Sequence, residues 1–547
     1  MRALAFPGLI AVFAGLAVGQ SFDAADVHAS AKSNNTFVRT GPARGGRYEV
    51  KSANLVDLIR IAYGVEAEKV VGGPNWLELD RFDVIAKVPA DSSADTHMLM
   101  LQKLLTERFS LVVRKDTRPL PAYVLTTGKK PQLKEADGSE QTGCRPQAAS
   151  GAPAEGGIRL MTSGPTGATT TIHLGPGMTI QYECRNMTMT AFAEGLRGMM
   201  GSSLGPNAVV DQTGLKGNWN FDIRWSMQLM GPMGASAGER ITVFDALEKQ
   251  LGLKLEEKPL PTPVLVVDSV NRQPTANSPE TATALPPIPV PTEFEVTDVK
   301  VAGPELRMGR FAMQPGGRFV AQGFPLRFLI SRAFNTFNNE QIVGLPKWAD
   351  TDRFDITAQA PSMGPLAPPL DLDTAAPMLR ALLVDRFKMK YHTEERSVTA
   401  YALVAGKPKM KKADPASRTF CKNLNAPPGA PPGSRLITCQ NITMAQFADR
   451  LVGFAPWLAW PVLDATGLEG SWDFSITFGQ SFPSMVGPGP GRGGDGPAAD
   501  LPSAADPTGA ITIFDAVEKQ LGLKLESRKR PMPVIVIDSL DQKPTEN

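Results

Sequence analysis

The chain has 547 residues, 42% of them apolar, and a formal net charge of only +2. That length exceeds what one hydrophobic core organises, so two or more domains are expected. A charge so near zero, with no basic stripe, argues against a nucleic-acid partner, and no motif calls for a cofactor.

Arg2, the apolar run Ala3 to Val18 and the small residues Ala17, Val18 and Gly19 read as an export signal over 1–19. A retained anchor is the alternative, but the run is short of a full span. The expected product is secreted or periplasmic, with no membrane span after signal removal. The four cysteines agree: Cys144 with Cys184 and Cys421 with Cys439 read as one disulfide in each half of an exported chain. Zinc is the competing idea, and it fails because no Cys-x-x-Cys or paired histidine accompanies them.

The remainder is written twice. SFDAADVHAS and EFEVTDVKVA each suggest an opening strand, followed by GGRYEV from Gly45 and GGRFVA from Gly316. An amphipathic helix follows, with Leu55, Leu58, Ile59 and Ala62 on one face and Leu326, Leu329, Ile330 and Ala333 repeating it. GGPNW and GLPKW then mark turns that lead into strands beginning DRFD. The next helix carries Leu101, Leu104, Leu105 and Phe109, matched by Leu379, Leu382, Leu383 and Phe387, and runs into another strand.

The cysteine segments have loop-like composition and differ in length. Beyond them, Met189, Phe192, Ala193 and Leu196, and Met444, Phe447, Ala448 and Leu451, form the inner face of a short helix. VVDQTGL and VLDATGL read as turns before a strand. A Gly-, Pro- and Met-rich stretch precedes the most exact repeat, Thr242 to Val270 against Thr512 to Leu540. There Thr242 with Asp245 resembles a capping box, and Phe244, Leu247 and Leu251 fall on one helical face. Gly252 takes the left-handed C-terminal position, and a β-branched strand closes the unit.

The fold class expected is α+β: a tandem duplication in which small mixed sheets are packed by short amphipathic helices. The chain divides into N-terminal subdomains at 21–126 and 292–405, cysteine segments at 127–183 and 406–438, and C-terminal subdomains at 184–275 and 439–545. A linker spans 276–291, and a low-complexity insertion spans 483–509.

Little here resembles catalytic machinery. GASAG around Ser236 fits a hydrolase pattern but has no strand-turn-helix context and no counterpart in the second repeat. The glycines at 489, 491 and 494 sit in proline-rich low complexity, without a phosphate-binding context. His28, His97, His173 and His392 occupy no matching positions, and no metal spacing occurs. The paired DRFD motifs leave two readings. Trp76, Arg81 and Asp83, with Trp348, Arg353 and Asp355, form either a charged ligand site beside a tryptophan or a local ion pair over a packed ring. Asp211 and Asp464 read as Asx-turn aspartates.

Taken together, GG-R-[FY], GGP-x-W, DRFD, the Cys-x-N-x-TM helix, D-x-TGL and FDA-[LV]-EKQLGLKLE resemble a secreted bacterial family. It is known mainly from Acidobacteria and is described only as a domain of unknown function. The resemblance spans nearly the whole mature chain and implies an exported α+β domain without an accepted activity. The second repeat departs from it around Gly323 and at Leu345, where a second glycine is usual. The helix–strand–strand units around Phe192 and Leu247 also look like the short N-terminal domain of secretins and TonB-dependent receptors.

The function expected is a non-enzymatic interaction or sensing module of the cell envelope whose partner is another envelope protein or peptide. The rivals are a hydrolase working through Asp83, Asp211, Asp355 and Asp464, and a small-ligand binder in the cleft between repeats.

Overall fold

The computed structural model describes residues 21–545 apart from 32–37, 90–91, 129, 140, 147–157, 164–168, 175–178, 205–206, 227–240, 289, 304–309, 315, 337–338, 363–369, 426–430, 432–433, 456–457, 459–460 and 480–510. The export signal, the motifs at Ser236 and Gly489 and the 483–509 insertion lie outside the described residues.

Repeat 1 begins with β1 (Ala24–Ala29), β2 (Arg39–Thr40), β3 (Arg47–Asn54), α1 (Leu55–Tyr63), β4 (Val70–Gly72), β5 (Arg81–Lys87) and α2 (Ala94–Phe109). These lead into the long strand β6 (Val112–Thr127). Then come β7 (Lys134–Glu135), β8 (Gly143–Pro146), the paired β9 (Ile158–Ser163) and β10 (Thr169–Leu174), β11 (Thr179–Met187), α3 (Met189–Leu204), β12 (Ala208–Asp211), β13 (Trp219–Ser226) and α4 (Val243–Ala246). A second long strand, β14 (Leu253–Ser269), ends the repeat.

The two halves of this repeat share one topology. The first lobe has the sheet order β1-β5-β3-β2 and the second β7-β13-β11-β8. In each, a strand runs straight into a helix, a short strand leaves for a third sheet, and a second helix leads into a long strand. That third sheet, β12-β6-β14-β4, is built by exchange: β4 of the first lobe lies parallel to β14, and β12 of the second lies parallel to β6. The duplication seen in the sequence is therefore a doubling of something already doubled in topology.

Repeat 2 follows a short linker helix, α5 (Thr281–Ala284). It comprises β15 (Val296–Val301), β16 (Arg310–Gln314), β17 (Arg318–Pro325), α6 (Leu326–Ala333), β18 (Ile342–Val343), α7 (Trp348–Thr351), β19 (Arg353–Gln359), α8 (Leu372–Arg386) and β20 (Lys390–Ala405). Its second lobe adds β21 (Lys411–Lys412), β22 (Phe420–Asn425), β23 (Ser434–Thr443), α9 (Met444–Phe454), β24 (Val462–Asp464), β25 (Ser471–Gly479), α10 (Ile513–Ala516) and β26 (Leu523–Ser539). Sheet orders β15-β19-β17-β16, β21-β25-β23-β22 and β18-β26-β20-β24 repeat those of the first half.

Four apolar cores result, one per lobe. The predicted helix faces supply them. Leu55, Leu58, Ile59 and Ala62 are buried, as are Leu326, Leu329, Ile330 and Ala333, and Phe192 and Phe447 lie at the centres of the second lobes. The helix after Thr242 differs from expectation. Its N-terminus is capped as predicted, Thr242 Oγ1 accepting from the Asp245 N–H, but Leu247–Leu251 forms a π-type turn. The wider turn breaks the 3.6-residue register, so Val243, Leu247 and Leu251 face inward while Phe244 stays 40% exposed. Gly252 follows at φ 66°, and a β-carbon there would stand 2.1 Å from the Lys130 carbonyl, so only glycine fits.

The cysteine segments are more ordered than their composition suggests. β8 pairs with β11 and β22 with β23, which places Cys144 directly opposite Cys184 and Cys421 opposite Cys439. Both pairs are disulfide-bonded. Cross-strand pairing overrides the loop-forming character of the residues around them.

The long strands tie the lobes of each repeat. In β6 and β14 the register places Pro119 opposite Pro261 and Pro121 opposite Pro259. Prolines two residues apart lack donors on the same edge of a strand, here the edge turned away from the partner. The ladder between the strands is kept, and the open flanks of the ribbon cannot template another strand.

Candidate functional site

The DRFD motifs, the strongest charged candidates, hold a backbone irregularity. Between β3 and β5 the register slips at Lys51 and Ser52, and Ser52 sits at φ 55°. Asp83 Oδ1 accepts the Ser52 N–H at 2.9 Å, and Arg81 Nη1 donates to the Ser52 carbonyl. In repeat 2 the left-handed residue is Gly323, at φ 71°. Its N–H donates to Asp355 at 2.8 Å, and its carbonyl accepts from Arg353 at 2.7 Å. The expected local ion pair is corrected: among the described residues no ion pair joins Arg81 to Asp83 or Arg353 to Asp355, and each member instead clasps one side of a bulged peptide.

The second lobes repeat the device with other residues, a signal that pattern-reading had missed. Asn186, at φ 51°, donates its N–H to Asn220 Oδ1 at 2.7 Å. Asn441, at φ 50°, donates to Asp473 Oδ1 at 2.8 Å. All four bulges lie two residues before a helix begins or is capped. A bulge sharpens the local twist and re-aims the chain, here into the helix that covers the sheet. The pairing of a left-handed Ser, Asn or Gly with an Asp or Asn one strand away was present in the sequence, but only the register aligns them.

The tryptophans are half-buried and pack against the first-lobe cores. Trp76 carries Arg272 over its ring at 5.8 Å, and Arg272 Nε and Nη2 in turn donate to Asp80 at 2.5 and 3.1 Å. The outer face of that ring is therefore already covered by a cation.

The carboxylates named for hydrolysis stand on four different strands or strand ends, β5, β12, β19 and β24. Asp211 accepts from the N–H and hydroxyl of Thr213 at 2.9 and 2.8 Å, and Asp464 does the same with Thr466. These are the predicted Asx-turns. Among the described residues no group of histidine, cysteine, aspartate and glutamate could hold a metal ion. His97 is buried against Tyr48 and hydrogen-bonded to Ser92 Oγ, whereas His392 lies exposed beside Asp538.

Two surface features remain. In each repeat an exposed phenylalanine at the start of the π-turned helix meets a tyrosine of the long ladder. Phe244 packs edge-on to Tyr123 at 5.8 Å and Phe514 to Tyr401 at 5.2 Å, each phenylalanine 40% exposed. The other feature is the junction of the repeats, where the turn after β4 meets the strand of Cys421. Thr419 N–H donates to the Asn75 carbonyl at 2.9 Å, and Arg418 donates to the carbonyls of Val70 and Gly72. Arg39 of β2 pairs with Asp371, the N-cap of α8, which forms a second tie between repeats.

Among the described residues, no helix is long and apolar enough to cross a membrane. Neither a curated protein nor a solved structure matches the chain, so the likeness to the secretin and TonB-receptor domain finds no support there. One family model matches, over residues 56–270 and again over 327–540, and by that double match the chain belongs to the family described as protein of unknown function (DUF3738).

Proposed function

We propose that this protein is an exported, non-enzymatic interaction or sensing module of the cell envelope, and that its partner is another envelope protein or peptide. The observation that carries this reading is the pair of equivalent aromatic ledges, Phe244 on Tyr123 and Phe514 on Tyr401, left exposed in both repeats. Large aromatic side chains contribute most to binding when a partner desolvates them. Two equivalent ledges on one chain also favour a bivalent partner, whose second contact forms at high effective concentration. The two disulfides fit an oxidising compartment. The carboxylates of the hydrolase reading are held in local backbone hydrogen bonds.

A photo-crosslinking residue placed at 244 or 514 of the full exported chain tests the reading in intact envelopes. A discrete adduct at both positions, absent from a control at exposed Lys300, is expected. Adducts that do not depend on position, or none, would remove the interaction reading.

A further inference from the structure

A cavity of about 460 Å³ lies in repeat 1 between β13 and the π-turned helix, bordered by Asp222 and Arg224 of the strand and by Asp245, Lys249 and Gln250 of the helix. It sits against an incomplete sheet edge. β7 pairs with β13 only at Trp219 and Asn220. Farther along, the outward backbone groups of β13 find individual partners. The Arg224 N–H donates to Gln250 Oε1 at 3.0 Å, the Arg224 carbonyl accepts from Gln250 Nε2 at 2.7 Å, and the Ser226 N–H donates to the Ile241 carbonyl at 2.9 Å. A side-chain amide thus occupies the place of a neighbouring strand's peptide. Asp222 turns the same way as Arg224, since outward positions alternate along a strand. Among the described residues nothing bonds its outward N–H and carbonyl.

The charges around the cavity are answered, with one exception. Asp222 accepts from Arg185 Nη1 at 2.7 Å, and Asp245 pairs with Lys249 at 2.8 Å. Arg224 is exposed, and among the described residues its guanidinium makes no hydrogen bond and no ion pair. Repeat 2 keeps the frame without this charge. Gln520 holds the Thr477 N–H and carbonyl at 2.9 and 2.7 Å, and Asp515 again pairs with Lys519. Ser475 and Thr477, however, stand in place of Asp222 and Arg224.

We propose that this cavity takes a short acidic peptide segment of the envelope partner, with its backbone on the Asp222 peptide groups and a carboxylate on Arg224. An edge that already binds one amide at Arg224 offers the next outward position to an extended chain. An unused guanidinium fork fits a carboxylate through two parallel N–H bonds. Asp245 directly follows Phe244, so the bound segment adjoins the aromatic ledge. The inference rests on the reading of the protein as a peptide-binding module and makes its repeats unequal, repeat 1 alone selecting for the acid.

The test is a methyl NMR titration of the mature full-length protein, isotope-labelled at isoleucine, at constant ionic strength. Ile223 and Ile241 border the cavity and report on it, while Ile476 and Ile511 mark the same positions in repeat 2. The probes are acetyl-Ala-Glu-Ala-Glu-Ala-amide, its Gln-for-Glu analogue, and glutarate. Saturable shifts at Ile223 and Ile241 with the glutamate peptide are expected. Affinity should be weaker by about tenfold or more for the glutamine peptide, for glutarate, and in Arg224→Thr, which copies repeat 2 at an exposed position. No saturable shift, equal affinity for either control probe, unchanged affinity in Arg224→Thr, or equal shifts at Ile476 and Ile511 would overturn the proposal. Because the readout is a defined peptide at Ile223 and Ile241, rather than adducts at 244 and 514, this proposal and the ledge reading fail separately.

Discussion

Glu340 Oε2 accepts the backbone N–H of Thr399 at 2.6 Å, at the position where repeat 1 carries Pro121. Both arrangements deal with the same outward-facing donor on a long central strand. Repeat 1 deletes it with proline; repeat 2 caps it with a carboxylate, which also takes the Thr399 hydroxyl at 2.7 Å and Lys529 Nζ at 3.1 Å. Lys529 stands where repeat 1 has Pro259. Removing the cap with Glu340→Ala leaves a buried N–H without its acceptor and is expected to destabilise repeat 2 by about 1–3 kcal/mol. Adding Thr399→Pro, which copies the solution of repeat 1, should recover part of that loss. Urea unfolding of the single and double variants checks it; a double variant no more stable than Glu340→Ala would refute the equivalence.

The same carboxylate sets a pH dependence. Burial on its own would raise the Glu340 pKa, but the hydrogen bonds from Thr399 and Lys529 outweigh it and hold the group below its ordinary 4.5. A pKa depressed in the fold means stabilisation that is fully present above 4.5 and lost as pH falls through the lower folded value. Acid unfolding of the wild type should therefore include a contribution in that window which Glu340→Gln lacks. Superimposable acid profiles for the two proteins would contradict it.

Asp83 and its equivalents make a graded series. Asn220 performs the task of Asp83 with an amide oxygen, so Asp83→Asn should be nearly neutral. Asp83→Ala strands the Ser52 N–H, buried at 4% exposure, and should cost about 1–3 kcal/mol. Ser52→Gly copies Gly323 and relieves a left-handed conformation, so it should be neutral or stabilising by up to about 1 kcal/mol. Denaturant midpoints order the three variants; Asp83→Asn falling as far as Asp83→Ala would show that charge, not acceptance, is what the bulge requires.

Much of the architecture was legible in the chain. Apolar spacing identified Leu55, Leu58, Ile59 and Ala62 because a helix reports its buried face at i, i+3, i+4 and i+7. Two closely similar copies, Thr242 to Val270 and Thr512 to Leu540, also exposed the tandem repeat. What stayed hidden was whatever depends on register. The kinship of the lobes within a repeat rests on which residue lies opposite Ser52 or Asn186, and those partners, Asp83 and Asn220, are 31 and 34 positions away. Phe244 was misplaced because a π-type turn shifts phase without changing composition. The junction around Glu78 and Arg418 joins residues 340 positions apart, a distance at which no periodicity carries information.

The disulfides should act separately on the two repeats. Each joins neighbouring strands within one second-lobe sheet, across 40 residues for Cys144–Cys184 and 18 for Cys421–Cys439. In the chain-entropy view, closing loops of those lengths contributes about 3–4 kcal/mol each. Cys144→Ala with Cys184→Ala should lower the melting of repeat 1 and leave repeat 2 nearly unchanged, and the other pair should do the reverse. Calorimetry resolves this as one transition moving against a fixed one. Both transitions moving equally with either pair would mean that the repeats unfold as one unit.

Two histidines should titrate on opposite sides of the ordinary value of 6.5. Asp538, bonded to His392 Nδ1 at 3.0 Å and aided by Glu394, raises the His392 pKa; burial lowers that of His97. The signs of the linked stabilities then differ. His392 favours the fold below 6.5, and its contribution is lost as pH rises through its raised folded value. His97 is held neutral, so its packing is fully favourable above 6.5 and weakens as pH falls, when the unfolded chain takes up the proton first. Imidazole resonances followed by NMR across pH 4–9 would separate the two. Asp538→Asn should bring His392 back toward 6.5 while leaving His97 in place. A His97 resonance that titrates at the ordinary 6.5 rather than below it would show its site open to water, and with it the packing of α2 against Tyr48.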